Sequence, residues 1–168
     1  MRSLTFLLLL SLFLFSNENN YKVSKNLEIS GLVLNKLNLD VKELEELSYF
    51  KSGSTPVICM SGETKDNVES YEGVLLKDLL DKAVLNISSR KDLNKVYIHA
   101  ISTDGYETIF SYNEIFNTKL GDNIIVFYKK NGKYLEDYQG KIALISIDDI
   151  RNGPRHIKWL EKIIVGKI

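Results

Sequence analysis

The sequence predicts an α+β domain: mixed, mostly antiparallel twisted sheets in a barrel-like core, with short flanking helices. Three observations carry this. Short apolar, strand-like runs recur from Leu27 to the C-terminus, punctuated by Asp104-Gly105 and Asn131-Gly132. Helical periodicity is confined to two brief stretches. Only two prolines and ten glycines occur in 168 residues, and no Ser/Gly linker splits the chain, so one core is the simplest arrangement.

Taken in order, Met1-Arg2-Ser3 and the apolar run Leu4 to Phe15 come first. A membrane-spanning helix needs roughly 20 apolar residues, and this run is shorter. It reads as the apolar region of an export signal ending near Ser16, with an uncleaved N-terminal anchor as the alternative. The expectation is a signal peptide over residues 1–16, a domain over residues 21–168, a periplasmic or secreted location, and no transmembrane segment after cleavage. The remaining ~150 residues suffice for a real core.

Leu27 to Leu34 alternates around Gly31 and reads as a strand. Asp40 precedes Glu43 by three residues, the spacing of a helix cap, and should open a short helix through Leu47. Thr55 to Met60 is a short apolar strand. After Gly73, the stretch VLLKDLLDKA places Leu75, Leu76, Leu79, Leu80 and Ala83 on one helical face. Strands are expected at Val96 to Ile101 and Thr108 to Tyr112. Ile124 to Tyr128 runs into Asn131-Gly132 and out through Tyr134-Leu135, the signature of a hairpin. Ile142 to Ile147 and Ile157 to Val165 complete the set.

Charge narrows the function. Residues 1–16 hold one Arg and no acid, which leaves 21 basic against 22 acidic residues in the rest of the chain. That balance argues against a nucleic-acid partner. No nucleophile triad, phosphate-cradling glycine loop or dinucleotide fingerprint is present. The lone cysteine, Cys59, has no intramolecular disulfide partner. In an oxidising compartment it is buried, reactive, bound to something or paired between chains. Arg155, His156 and Lys158 crowd against the only tryptophan, Trp159, just after the turn Asn152-Gly153-Pro154. Either this is a solvated turn before a last strand, or the two cations hold an anion, with His156 able to titrate beside them.

The order of pieces resembles the oxidoreductase molybdopterin-binding domain family, with its sulfite-oxidase-like fold. The resemblance runs from about Leu27 to Val165. It rests on Ile29-Ser30-Gly31, Cys59 at a strand end, Tyr71-Glu72-Gly73-Val74-Leu75-Leu76-Lys77-Asp78-Leu79-Leu80, Asp104-Gly105-Tyr106, Asn131-Gly132-Lys133-Tyr134-Leu135, Gly140, and Gly153-Pro154-Arg155-His156-Ile157-Lys158-Trp159-Leu160.

The resemblance implies that Cys59 is the thiolate ligand of molybdenum, since a soft thiolate suits that metal. It also implies that Arg155, His156 and Lys158 lie at the pterin cofactor, the two cations as donors to an anion. Molybdopterin or a related pterin is therefore the cofactor expected, with a cofactor-free module as the alternative. The chain departs from the active enzymes after Cys59, where it reads Met60-Ser61-Gly62-Glu63, and after Gly140, where Ile142-Ala143-Leu144 stands in place of a Pro-x-Arg. The expected function is thus an exported, single-domain member that binds a pterin or other small anionic ligand. The alternatives are an active molybdenum-dependent oxidoreductase and a periplasmic module that binds an exported redox or other partner protein.

Overall fold

The computed structural model describes residues 22–168, so the signal-like segment 1–16 lies outside the described residues. Two sheets form the architecture. In the first, β1 (Asn26–Gly31), β2 (Leu37–Asp40), β7 (Val96–Ser102), β8 (Glu107–Ser111) and β13 (Leu160–Lys167) stand in the order β2-β1-β13-β7-β8. Of its neighbours, only β1 and β13 run parallel, with Ile29 opposite Ile163. In the second, β3 (Phe50–Lys51), β6 (Tyr71–Leu75), β9 (Ile124–Lys130), β11 (Ala143–Ser146) and β12 (His156–Ile157) stand in the order β12-β11-β9-β6-β3. The short β10 (Lys133–Tyr134) pairs onto β9, and β4 (Thr55–Ile58) and β5 (Thr64–Val68) form a separate hairpin. The fold is mixed α+β and mostly antiparallel, with sheets that stay open instead of closing into a barrel.

Burial explains the strand sequences. Every second residue of β7 (Val96, Ile98, Ala100, Ser102) is buried, the alternation of a sheet with one covered face. β9 buries five residues in succession, because both of its faces are covered. Ile124, Val126 and Tyr128 join the main core, together with Leu76, Leu79, Leu80, Ile98 and Ile163. Ile125 and Phe127 face a second, smaller core of Val57, Val68, Tyr71, Leu135, Ala143 and Ile145. The β4–β5 hairpin thus covers the outer face of the second sheet, and the cleft described below opens where that cover ends.

The helices are α1 (Val41–Glu45), α2 (Leu76–Ala83) and α3 (Tyr112–Phe116). Asp40 caps α1 as expected, its carboxylate accepting from the Glu43 amide at 2.8 Å while Glu43 accepts from the Asp40 amide at 2.9 Å. Among the boundaries that differ from expectation, two bear on the site. Tyr71–Leu75 is strand β6, and α2 begins only at Leu76, since pairing with β9 holds Gly73 opposite Phe127. The expected last strand over 157–165 is broken: β12 ends at Ile157, Trp159 has φ of 48°, and β13 starts at Leu160 in the other sheet.

Candidate functional site

The site is a cleft of about 730 Å³ at the rim of the second core. One wall is the tip of the β4–β5 hairpin. Past Ile58 the chain turns tightly: the Cys59 amide donates to the Glu63 carbonyl and the Gly62 amide to the Cys59 carbonyl, both at 2.9 Å. The half-buried Cys59 therefore stands at a fixed strand end and lines the cleft with Val57, Met60, Lys65 and Asp66. The facing wall is the 3-10 turn Gly153–Arg155 and β12, which contribute Gly153, Pro154, His156 and, just beyond, Lys158. Lys130 at the end of β9, Tyr106, Tyr138 and Gln139 complete the lining.

Register places His156. β12 pairs with β11 so that Ile157 is opposite Leu144 and His156 opposite Ile145. Alternation sends Ile157 into the main core and His156 to the cleft side. There its ring packs edge-on to Tyr71 at 6.2 Å and against Phe127 at 5.8 Å. Burial pushes the imidazole pKa down to about 4, and the nearby charges of Lys158 and Lys130 push the same way. At neutral pH His156 is uncharged and offers the cleft a hydrogen-bonding nitrogen.

The remaining charges lean positive. Lys130 pairs with Asp66 at 2.5 Å, and that hydrogen bond holds the Asp66 carboxyl below its usual range. Lys65 and Lys158 have no carboxylate within ion-pair distance among the described residues, and Lys158 lies 5.9 Å from the Trp159 ring. Three lysines, one of them neutralised by Asp66, leave an excess of about two positive charges over the cleft. Beneath its floor the Tyr71 hydroxyl is fully buried and makes no hydrogen bond.

The structure brings Cys59, His156 and Lys158 onto one cleft. Arg155 it does not. Its guanidinium points to the other side, where Nε donates to Asp149 at 2.5 Å, Nη2 donates to the same carboxylate, and Nη1 donates to Glu114 at 3.0 Å. Phe110 lies under it at 4.6 Å. The expected convergence of Arg155 with Lys158 therefore fails: two acids 6 and 41 residues away capture the guanidinium first, and neither is foreshadowed by local spacing. The departure after Gly140 is equally concrete. Ile142, Ala143 and Leu144 are buried in the cores, so that segment presents no side chain to the cleft.

Sequence reasoning missed Lys65 and Asp66, because a two-stranded hairpin of exposed polar residues leaves little periodic signal, and Lys130, because it reaches the cleft only from the far end of β9. It also missed Asn152. This buried side chain accepts from the Ile58 amide at 2.8 Å and donates to the carbonyls of Pro56 at 2.8 Å and Ile147 at 3.4 Å. Nearby, the Tyr106 hydroxyl donates to the Pro154 carbonyl at 2.7 Å, and Arg151 donates to the Met60 carbonyl. The hairpin tip and the 151–154 turn are thus tied together.

Comparison with known proteins places this geometry. The family model described as the oxidoreductase molybdopterin binding domain matches residues 18–167. The chain belongs to that family. No curated protein matches it in sequence. Among solved structures, the sulfane dehydrogenase SoxCD from Paracoccus pantotrophus is similar in fold, with a TM-score of 0.61 at 17% identity over 86% of this chain. The molybdopterin-domain chain described here spans 39% of that protein's length.

Does the donor set fit a molybdopterin? The cleft falls within the roughly 300–1,000 Å³ usual for small-ligand sites. Its surplus of lysines suits an anionic pterin, and Cys59 offers one soft sulfur. No group of three or more His, Cys, Asp and Glu side chains stands at metal-binding distance among the described residues, so these offer a metal no protein cage. The residues fit the pterin and one metal bond.

Proposed function

We propose that the cleft binds a pterin-type anionic ligand, with Cys59 on its wall, Lys65, Lys130 and Lys158 supplying charge, and neutral His156 supplying a hydrogen bond. The observation that supports this is the gathering of Cys59, His156 and Lys158 on one positively charged cleft of about 730 Å³ in a family member. Two of the lysines lack acidic partners among the described residues, so their charge is available to a ligand. In this reading the protein is exported by its N-terminal segment and acts outside the cytoplasm as a ligand-binding member. A second reading draws on Cys59 itself: a molybdenum held by the pterin and by this thiolate would supply redox chemistry. Against catalysis stands the buried Ile142-Ala143-Leu144 segment, which leaves an oxyanion substrate without the arginine carried by the enzymes.

The test is a titration of the purified chain with 6-carboxypterin, followed by fluorescence, in low and high salt. Saturable binding is expected, weakened about tenfold by Lys158→Ala and further by Lys65→Ala, and weakened by salt. Arg155→Ala should leave the affinity unchanged. No binding, or affinity insensitive to both lysine changes, would overturn the reading.

A further inference from the structure

We infer that Asn152 is a positioning residue: its side chain fixes the strand end that carries Cys59, and so sets where the thiol stands in the cleft. The inference rests on the reading that Cys59 faces the ligand. It concerns a residue that itself does not line the cleft.

The geometry is specific. Asn152 is 2% exposed, and its amide uses both ends on backbone. The carboxamide oxygen accepts from the Ile58 amide, one residue before Cys59, and the nitrogen donates to the Pro56 carbonyl, two residues earlier, each at 2.8 Å. Ile58 is where the β4–β5 register slips, since Val57 pairs with Asp66 and Ile58 with Thr64. A strand at such a shift loses regular ladder partners. Asn152 gives the Ile58 amide an acceptor at this point, from a segment 94 residues away. The same nitrogen reaches the Ile147 carbonyl at 3.4 Å, which anchors the side chain to the end of β11. Gly153 adds a steric half to this clamp: a Cβ there would lie 2.8 Å from the Ile58 carbonyl oxygen and 3.3 Å from the Cys59 Cα. Only a carboxamide satisfies the set. An aspartate would turn oxygen toward two carbonyls, and alanine would leave the Ile58 amide without its acceptor.

The readout is the thiol, measured without any ligand. Cys59 in the native full chain is labelled with iodoacetamide, and the second-order rate is compared among Asn152→Ala, Gly153→Ala, Ser146→Ala and the unaltered protein. Losing two strong backbone bonds should free the strand end, changing the labelling rate by about tenfold. Gly153→Ala should also shift the rate, through displacement with the hydrogen bonds intact. Ser146→Ala is the control: it removes a buried hydroxyl bonded to Asp149 at 2.8 Å, in the same turn region, without touching residues 56–58. Its melting temperature should fall while its labelling rate stays put. If Asn152→Ala lowers the melting temperature yet labels at the unaltered rate, Asn152 is only structural and the inference fails. If Asn152→Ala does not fold, Asn152→Ser decides, since its shorter side chain cannot hold both the Ile58 amide and the Pro56 carbonyl, and an unchanged labelling rate in it would overturn the inference. Failure of 6-carboxypterin to bind would leave these rates as they are, so the two readings fail separately.

Discussion

His156 and Arg155 are neighbours in sequence with opposite fates. Arg155 ends in a cluster with Asp149 and Glu114, its side chain only 19% exposed. It serves the fold by joining α3 to the turn after β11. Its partner Glu114 also caps α3, accepting from the Ser111 amide at 2.7 Å, so one carboxylate closes a helix and holds the guanidinium. His156 turns to the cleft and is kept neutral by burial and by two lysines. This has a consequence for stability. Its folded pKa, about 4, lies below the ordinary 6.5, so between those values the unfolded chain binds the proton more readily. Stability from this group is complete above pH 6.5 and is lost as pH falls toward 4, by about 3 kcal/mol at most. Asp66 and Glu114, whose carboxyls are held low, add their own loss at lower pH. Urea midpoints of His156→Asn should therefore lack the decline between pH 6.5 and 4 and keep the acid limb below it. An equal decline in the variant would mean the ring is not responsible.

At the scale of elements, the break between β12 and β13 organises one side of the cleft. A single strand from Ile157 to Val165 would have stayed in one sheet. Instead Trp159 takes a left-handed φ of 48° and its amide donates to the Gln139 carbonyl at 3.1 Å, while the indole nitrogen donates to the Asp137 backbone carbonyl at 2.8 Å. This corner is possible only because Gly140 lies against it. With φ of 78°, a Cβ at Gly140 would sit 2.5 Å from the Trp159 Cα. Gly140→Ala should cost about 3 kcal/mol or more, from left-handed strain plus a backbone clash. Denaturant midpoints measure this. Gly53→Ala, with nothing within 4 Å of the added carbon, should be close to neutral. Much of the element pattern was legible in sequence: the Asp40–Glu43 cap, the Asn131-Gly132 turn and the alternation of β7 all obey local rules. The β12–β13 corner, β5 and the late start of α2 were not. Each is decided by a partner outside the segment itself: Gln139 for Trp159, the neighbouring β4 edge for β5, and β9 for the residues before Leu76.

For the whole molecule, β9 joins the two cores, and the cleft lies where the smaller one meets solvent. The family resemblance was readable from ordered short motifs, and so were Cys59, His156 and Lys158 as residues of one region. The role of Arg155 was not, because local spacing says nothing of Asp149 and Glu114 folding back on it. Nor were Lys65 and Lys130, which reach the cleft only once the hairpin and β9 are assembled. On the proposed reading, the lysine-rich cleft takes a pterin-type anion, with Cys59 on its wall. The most direct measurement is the pterin released by oxidative extraction from protein purified natively from its own host, quantified per chain beside molybdenum. The account predicts close to one pterin per chain, reduced in Lys158→Ala and preserved in Arg155→Ala. Natively purified protein carrying no pterin, or carrying it undiminished after loss of Lys158, would contradict it.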